Sequence, residues 1–141
     1  MAAPKHLQLV FVTPERAIAH DEVDEVELPL ADGYAGILPG HAPLLSTLQT
    51  GEMWYRKGSE RTHAFVEGGF VEVLGDRVSI LAQVAEKAED IDVARAEAAK
   101  HRAEETLARP VADFDAERAR IALIRAIARL QAASRQYRPR K

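Results

Sequence analysis

The sequence predicts an α+β fold in which an N-terminal antiparallel β-sandwich, residues 1–85, is followed by a C-terminal antiparallel two-helix hairpin, residues 86–141. Three observations support this division. All 8 glycines lie at or before Gly75, whereas residues 86–141 contain 15 alanines. The net charge changes from −6 in the first part to +3 in the second. Apolar residues alternate along the first part and recur every three or four positions in the second, as they do in strands and helices respectively.

The composition excludes several classes of protein. The 141 residues include no cysteine, which removes disulfides, thiolate nucleophiles and cysteine-based zinc sites. No apolar segment has membrane-spanning length and no targeting peptide is recognisable, so we expect no direct membrane insertion. Aromatic residues make up 6% of the chain, which is low for a surface that stacks on nucleic-acid bases.

Alternating apolar runs and turn signals predict the strands. Residues 7–11 and 26–30 alternate apolar side chains with others, and Pro29 in the second run indicates an edge strand because proline cannot donate to a neighbouring strand. Two turn signals, Lys57-Gly58-Ser59 and Gly75-Asp76, each lie between apolar runs and predict β-hairpins. The leading glycine of the second suits a type II′ turn.

A narrow apolar stripe predicts the first helix. Asp90 or Asp92 is expected to cap its start, since a carboxylate accepts the unpaired N–H groups there, and Pro110 is expected to end it. The stripe consists of Ala96, Ala99, Ala103 and Leu107.

The second helix is predicted to begin with a cap at Asp113 or Asp115. Each buried alanine removes little apolar area from water. At about 25 cal/mol per Å² of buried apolar area, the hairpin therefore gains little stability from packing. We therefore expect the hairpin to be able to separate from its neighbour. The stripe of this helix consists of Ala116, Ala119, Leu123, Ile127 and Leu130.

No set of residues in the sequence indicates an active site or a metal centre. His41 lies in a glycine-rich segment, and no two of the five histidines are spaced as a ligand pair, so we assign no metal and interpret His41 as a hydrogen-bonding residue. The sequence has no G-x-S-x-G motif, Cys/His pair or P-loop. An acidic cluster lacks EF-hand spacing and is interpreted as a solvated edge or a partner-facing patch; it comprises Asp21, Glu22, Asp24, Glu25 and Glu27.

One segment resembles a known family. Residues 33–46, GYAGILPGHAPLLS, are similar to the signature stretch of the epsilon subunit of rotary F-type ATP synthases. The likeness continues in chain order through EGGFVEV (67–73), VSILA (78–82), AEDIDVARA (88–96) and RAIARL (125–130).

The resemblance implies a non-catalytic subunit, not an enzyme by itself, in the central stalk or rotor of the proton-translocating ATP synthase. That complex makes ATP from ADP and phosphate with a transmembrane proton gradient, and so couples ATP synthesis to hydrogen ion transport. The β domain would dock on the gamma subunit and the c-ring. The helices would either fold down as a hairpin or extend along the gamma subunit towards the catalytic alpha and beta subunits, and the extended form would restrain ATP hydrolysis. The protein would be peripheral, on the cytoplasmic face of the bacterial inner membrane.

The glycine-rich segment allows two interpretations. Taken alone, Gly33, Gly36 and Gly40 with two prolines form either two ordinary turns of the sandwich or a stiff, bare loop that a partner can approach closely. The resemblance favours a docking surface. Some relatives carry an acidic residue where Tyr34 stands, so no salt bridge to the c-ring is expected from this position. The interface residues implied are Tyr34, Gly36, Pro39, Gly40, His41 and Pro43.

A second motif implies regulatory ATP, with no other cofactor required. Residues 91–96, IDVARA, match the I/L-D-x-x-R-A motif with which some bacterial relatives bind ATP between the β domain and the helices. Arginines there can fork onto phosphate oxygens. Arg125 and Arg129 have no carboxylate three or four residues away, so their partner is non-local: ATP, Glu97 or Glu104 of the first helix, or the beta subunit. The implied site is Glu86, Ile91, Asp92, Arg95, Ala96, Arg102, Arg125 and Arg129.

A second function class starts from the charge of the tail. From Arg118 to the end there are eight basic residues and no acid, which is compatible with a free-standing module that binds nucleic acid. The acidic β half would repel phosphate, and no recognition motif is present. The sequence therefore favours protein partners over nucleic acid.

Overall fold

A computed structural model describes residues 5–109 and 112–136. Eight strands are followed by a 3₁₀ turn (Ala88–Asp90) and two helices, α1 (Val93–Ala108) and α2 (Asp113–Gln136). The strands are β1 (Leu7–Val12), β2 (Ala17–Val23), β3 (Glu25–Leu30), β4 (Gly33–Ile37), β5 (Leu44–Thr47), β6 (Gly51–Lys57), β7 (Glu60–Leu74) and β8 (Arg77–Lys87).

The strands form one continuous sheet that folds over on itself as a sandwich, as predicted. The strand order is β2-β1-β8-β7-β6-β3-β4, with β5 on the far part of β7. The first part of β7, up to Val66, pairs with β6, and the last part, from Phe70, pairs with β5. The pairs are antiparallel except β1 with β8, which is parallel and was not anticipated. The core lies between the layers and is filled by fully buried side chains such as Phe11, Leu28 and Ile80.

The bend in β7 occurs at Gly68 and Gly69. Their φ angles are +66° and +109°, in the region that side chains disfavour. A Cβ atom on Gly69 would lie 1.9 Å from the carbonyl oxygen of Leu81 on β8. The two strands therefore pass closely at this point, and only glycine fits.

Both predicted hairpins are present. Gly58-Ser59 joins β6 to β7, and Gly75-Asp76 joins β7 to β8. Gly75 has a φ of +63° whereas Asp76 has no positive φ, which is the combination of a type II′ turn.

The acidic cluster is largely ion-paired within the β domain. Lys57 lies 3.0 Å from Asp21 and lowers the pKa of that carboxyl. The backbone N–H of Gly58 and the ring of His6, each 2.7 Å from Asp24, lower the pKa of Asp24. These charges stabilise the β6–β7 turn against β2 and β3 rather than forming a cation site.

Two sequence predictions about the strands are wrong. Pro29 does not mark an edge, because β3 lies between β4 and β6; its pairing with β6 ends at Glu27, so Pro29 needs no N–H on that side. Residues 33–37 are strand β4 rather than loop, and β4 is one edge of the sheet. Gly33 has a φ of +119°, which side chains disfavour, and a Cβ atom on Gly36 would meet nothing within 4 Å.

Helix α1 begins after Asp92, one of the two predicted capping residues. Asp92 is the N-cap, and its side chain accepts the backbone N–H of Arg95 at 3.0 Å, whereas Asp90 belongs to the preceding 3₁₀ turn. The expected stop at Pro110 lies outside the described residues. For α2 the cap prediction is wrong, because the carbonyl of Ala112 accepts the first helical bond and Asp115 lies inside the first turn.

The predicted stripe of α1 is buried at Ala96 and Ala103 and half-buried at Ala99 and Leu107, but the buried face of α2 differs from the prediction. Of the predicted α2 stripe only Ala119 is buried, and Ile127 is 38% exposed. Ala128 and Ala132 pack instead on Phe65 of β7 and on Ile91. Helix α2 contacts the sheet as well as α1. Its buried face therefore includes residues that face the sheet, and the apolar periodicity of the hairpin does not identify them.

Candidate functional site

Helix α2 lies against one outer face of the sandwich, which we call the platform. Cross-strand pairs define it: Glu52 lies opposite Phe65, Trp54 opposite His63, and Phe65 opposite Glu86. Alternation along β7 adds Glu67 to the same face. The platform is thus Glu52, Trp54, His63, Phe65, Glu67 and Glu86.

Three arginines of α2 pair with the three carboxylates of the platform. Arg125 pairs with Glu67, and Arg129 Nε lies 2.6 Å from Glu86 Oε1. Further along the helix, Arg135 Nη1 lies 2.7 Å from Glu52 Oε2.

The partners of Arg125 and Arg129 are therefore on the β domain. The interpretation that Glu97 or Glu104 of α1 pairs with them is wrong. The guanidinium of Arg129 also stacks on Phe65, 4.3 Å from the ring centroid, which adds a cation–π contact.

These ion pairs bear on the nucleic-acid alternative. Three of the basic residues that motivated it are neutralised by the chain's own carboxylates, and Arg120 pairs with Glu117. The last three basic residues, Arg138, Arg140 and Lys141, lie outside the described residues. The described part of α2 therefore does not present a continuous stripe of unpaired basic side chains, and nucleic-acid binding is not supported.

A cleft of about 320 Å³ lies between α1, α2 and the end of β8. Seven of the eight residues of the predicted ATP site line it, namely Glu86, Asp92, Arg95, Ala96, Arg102, Arg125 and Arg129. The eighth, Ile91, lies beneath: its side chain is buried with Phe65, and its N–H donates to the carbonyl of Ala88 at 3.2 Å.

The cleft carries an excess of positive charge. Four guanidinium groups face two carboxylates in its lining, and Asp92 already uses one oxygen to cap α1. Among the residues whose side chains the structure describes, neither Arg95 nor Arg102 takes part in an ion pair. The volume is within the usual 300–1,000 Å³ of small-molecule sites, so the cleft suits an anionic ligand.

The six predicted interface residues lie on β4 and on the loop from β4 to β5. Tyr34 is 58% exposed, but its hydroxyl lies close to Gly51. The partial loss of solvent there raises the pKa of Tyr34 above its usual value. Gly36 faces open space. The ring Nδ1 of His41 lies 2.7 Å from the carbonyl oxygen of Ala42, which confirms its structural hydrogen bond.

The loop continues through Pro39, Gly40 and Pro43 into β5. There the structure shows an exposed surface that the sequence analysis missed, which we call the apolar patch. Leu45 is 72%, Phe70 55% and Leu81 52% exposed, and Phe70 lies opposite Leu81 across the β7–β8 pair. Residues 70–74 carry large apolar side chains on both faces of the strand, and this departure from alternation is the signal that predicts such a patch.

Neither a metal centre nor a membrane-spanning helix is found in the described part of the chain. That part contains no group of three His, Asp or Glu residues that could hold a metal ion. Nor does any helix in that part have the length and apolarity needed to cross a membrane.

An exposed apolar patch beside a bare loop, in a sequence without a catalytic motif, defines a protein that works by binding partners. Comparison with known proteins gives the particular family. The chain belongs to the ATP synthase delta/epsilon chain family, whose β-sandwich domain matches residues 6–88 and whose long α-helix domain matches residues 89–134.

Relatives support this over nearly the whole chain. It is 46% identical over 133 residues to the ATP synthase epsilon chain of Solibacter usitatus, covering 94% of this chain and 99% of that one. It is 46% identical over 129 residues to the epsilon chain of Desulforamulus reducens, covering 92% and 98%. The family resemblance is thereby confirmed: the chain is a non-catalytic subunit of ATP synthase, a membrane-bound complex.

Solved structures agree on the fold. A chain of the OSCP/F1/c-ring assembly of Euglena gracilis mitochondrial ATP synthase aligns with a TM-score of 0.84 at 22% identity, covering 95% of this chain and 84% of that one. A chain of the Tetrahymena thermophila central stalk and c-ring aligns with a TM-score of 0.61 at 16% identity, covering 94% and 99%. At these identities the likeness concerns the fold alone.

Proposed function

We propose that the chain is a central-stalk (rotor) subunit of a proton-translocating ATP synthase on the cytoplasmic face of the bacterial inner membrane. Its β domain docks on the gamma subunit and the c-ring, and its helices regulate hydrolysis by the catalytic alpha and beta subunits. The observation that carries the docking role is the apolar patch, since a contiguous exposed apolar surface marks a binding surface. The named relatives support the assignment, and the solved ATP synthase assemblies share the fold.

The patch and the loop from β4 to β5 form one docking surface, whereas Tyr34 and Gly36 of β4 lie on the platform side, because Gly36 pairs with Glu27 and Glu27 with Trp54. The loop after β4 leads directly into β5, where Leu45 stands outward, and β5 pairs with the part of β7 that carries Phe70. The bare backbone at Gly40 allows close approach, while Leu45 and Phe70 supply apolar area. Tyr34 offers a separate, uncharged contact, so the contact proposed between this residue and the c-ring loop rests on shape and hydrogen bonding.

Replacing Phe70 by glutamate should abolish recovery of the gamma subunit and the c-ring when the chain is pulled down from membranes. A charge in the middle of the patch would remain unpaired in the interface. The matched control is Ile124→Glu, an exposed isoleucine of α2, which should leave recovery unchanged. Circular dichroism of both variants establishes that they fold. Full recovery of the gamma subunit with Phe70→Glu would contradict the docking role of the patch.

The hairpin suits a reversible brake because charge rather than apolar area attaches it. Mostly alanines are buried on its helices, whereas three arginines pair with platform carboxylates. Ion pairs that are partly exposed exchange readily for equivalent acidic partners. Released from the platform, α2 presents these arginines to an acidic segment of the beta subunits, and this contact restrains hydrolysis.

The cleft is proposed to bind ATP and so to hold the hairpin folded. Arg95 and Arg102 of α1 and Arg125 and Arg129 of α2 converge on a space of suitable size. Because Arg125 and Arg129 already pair with carboxylates, the phosphates must replace these partners. A ligand stabilises the state it binds by RT ln(1 + [L]/Kd), so abundant ATP keeps the brake released.

Calorimetric titration of the isolated chain with ATP should show binding that Arg129→Ala weakens by about tenfold or more. Loss of one charge-assisted hydrogen bond to phosphate corresponds to about 1.4 kcal/mol or more. The matched control is Arg120→Ala, which removes a guanidinium of the same helix that pairs with Glu117 outside the cleft. No heat up to millimolar ATP, or equal isotherms for Arg129→Ala and the unmodified chain, would exclude this role.

A further inference from the structure

A buried acidic residue lies under the last turn of α2, outside the cleft. Glu52 and His63 are the two polar side chains that are buried in the described part of the chain. Glu52 Oε1 accepts a hydrogen bond from His63 Nδ1 at 2.6 Å, and Glu52 Oε2 accepts one from Arg135 Nη1 at 2.7 Å. Both oxygens of a carboxylate that is only 1% exposed thus have a partner, one of them supplied by the helix.

The next residue of α2 adds a second contact. Gln136 Oε1 accepts the backbone N–H of His63 at 2.6 Å, and Gln136 Nε2 donates to the carbonyl of Arg61 at 3.1 Å. Pairing of β7 with β8 begins only at Ala64, opposite Lys87, so this part of β7 has no strand neighbour on that side. The amide of Gln136 takes the place of the missing strand and satisfies the backbone.

We propose that Arg135 and Gln136 form a latch that fixes the free end of α2 on the β domain, with Glu52 and His63 as the receptor. The latch lies at the opposite end of the helix contact from Arg125, and none of its residues lines the cleft. It therefore opposes release of the hairpin whether or not the cleft holds a ligand. Its effect on hydrolysis rests on the proposed function, but the latch itself is a property of the isolated chain.

The two sides of the latch differ in burial, so substitutions on the two sides should open the hairpin to different extents. The Glu52 carboxylate is 1% exposed, whereas the Arg135 side chain is 59% exposed. Removing Arg135 leaves a buried carboxylate without its cation in the folded position, which favours release. Neutralising Glu52 leaves a guanidinium that water still reaches, so its effect is smaller.

The test uses the full-length isolated chain without nucleotide. Trp54 is the single tryptophan, lies opposite His63, whose backbone N–H is bound by Gln136, and carries Arg61 stacked on its ring, so its emission should respond when the end of α2 leaves. Hydrogen exchange of residues 126–136 provides a second measurement. Arg135→Ala should shift the emission to the red and accelerate exchange by about tenfold.

Control variants make the outcome decisive. Arg120→Ala, an exposed arginine of the same helix, should match the unmodified chain, and Glu52→Gln should open the hairpin less than Arg135→Ala. The double variant Glu52→Gln/Arg135→Ala should be less open than Arg135→Ala alone, because the buried charge is gone. Equal behaviour of Arg135→Ala and Arg120→Ala, or greater opening by Glu52→Gln, would overturn the latch. Gln136→Ala separates the latch from the brake, because Gln136 is not among the arginines proposed to meet the beta subunits. If Gln136→Ala opens the hairpin but hydrolysis by the complex is unaltered, the latch stands and the proposed brake fails.

Discussion

Ending the chain after Lys87 should raise ATP hydrolysis by the assembled complex severalfold while the shortened subunit still assembles. The truncation removes both helices and leaves β8 complete, because Glu86 and Lys87 belong to that strand. Docking depends on the apolar patch, which lies in the retained β domain. The measurement is the hydrolysis rate of the purified complex, together with its subunit content.

Truncation also uncovers Phe65, on which Ala128 and Ala132 pack, so a second variant is needed. Full-length chain with Arg125→Gln, Arg129→Gln and Arg135→Gln keeps the helices but removes the charges proposed to meet the beta subunits. It should raise hydrolysis as truncation does. An unchanged rate in the truncated complex would show that this chain does not restrain hydrolysis; a rise on truncation alone would assign the restraint to the helices but not to these arginines.

Gly69→Ala should lower the free energy of unfolding by about 3 kcal/mol or more. The backbone φ of +109° disfavours any side chain, and the added Cβ would meet the carbonyl oxygen of Leu81 at 1.9 Å. Since both groups are backbone within paired strands, neither can move without breaking the β7–β8 pairing at the bend. Urea denaturation followed by circular dichroism gives the value.

The matched control is Gly36→Ala, at a glycine that faces open space on the edge strand β4. This substitution should change the free energy of unfolding by less than about 0.5 kcal/mol. A loss below about 1 kcal/mol for Gly69→Ala would mean that β8 can shift, and that the close approach is not a requirement of the fold.

Local features of the fold follow from the sequence because neighbouring residues decide them. Gly75-Asp76 specifies its turn through the backbone freedom of one glycine, and Asp92 specifies the start of α1 through a hydrogen bond three residues away. The alternation of apolar side chains in β1 places Leu7, Leu9 and Phe11 in the core, as predicted. Each of these outcomes depends on a few consecutive residues.

The residues that line the cleft could be predicted from the sequence, but the carboxylates that pair with its arginines could not. The motif at residues 91–96 and the spacing of the arginines indicate which side chains gather there, and the fold brings together all of them but Ile91. That Glu67 and Glu86 occupy Arg125 and Arg129 was not predictable. Those pairs join residues 58 and 43 positions apart, and no local pattern records which carboxylate a helix will cover.

The sequence by itself determined the β-then-helix architecture, the absence of a catalytic motif and the family, since periodicity, composition and motifs are properties of short segments. Only the tertiary structure decided which way α2 faces. Packed on the platform, α2 buries Ala128 and Ala132, leaves Ile127 exposed and delivers Arg135 to Glu52, 83 residues earlier in the chain. The orientation of a helix with two neighbours depends on surfaces that exist only once the sheet has formed, and so it cannot be derived from the periodicity of the helix alone.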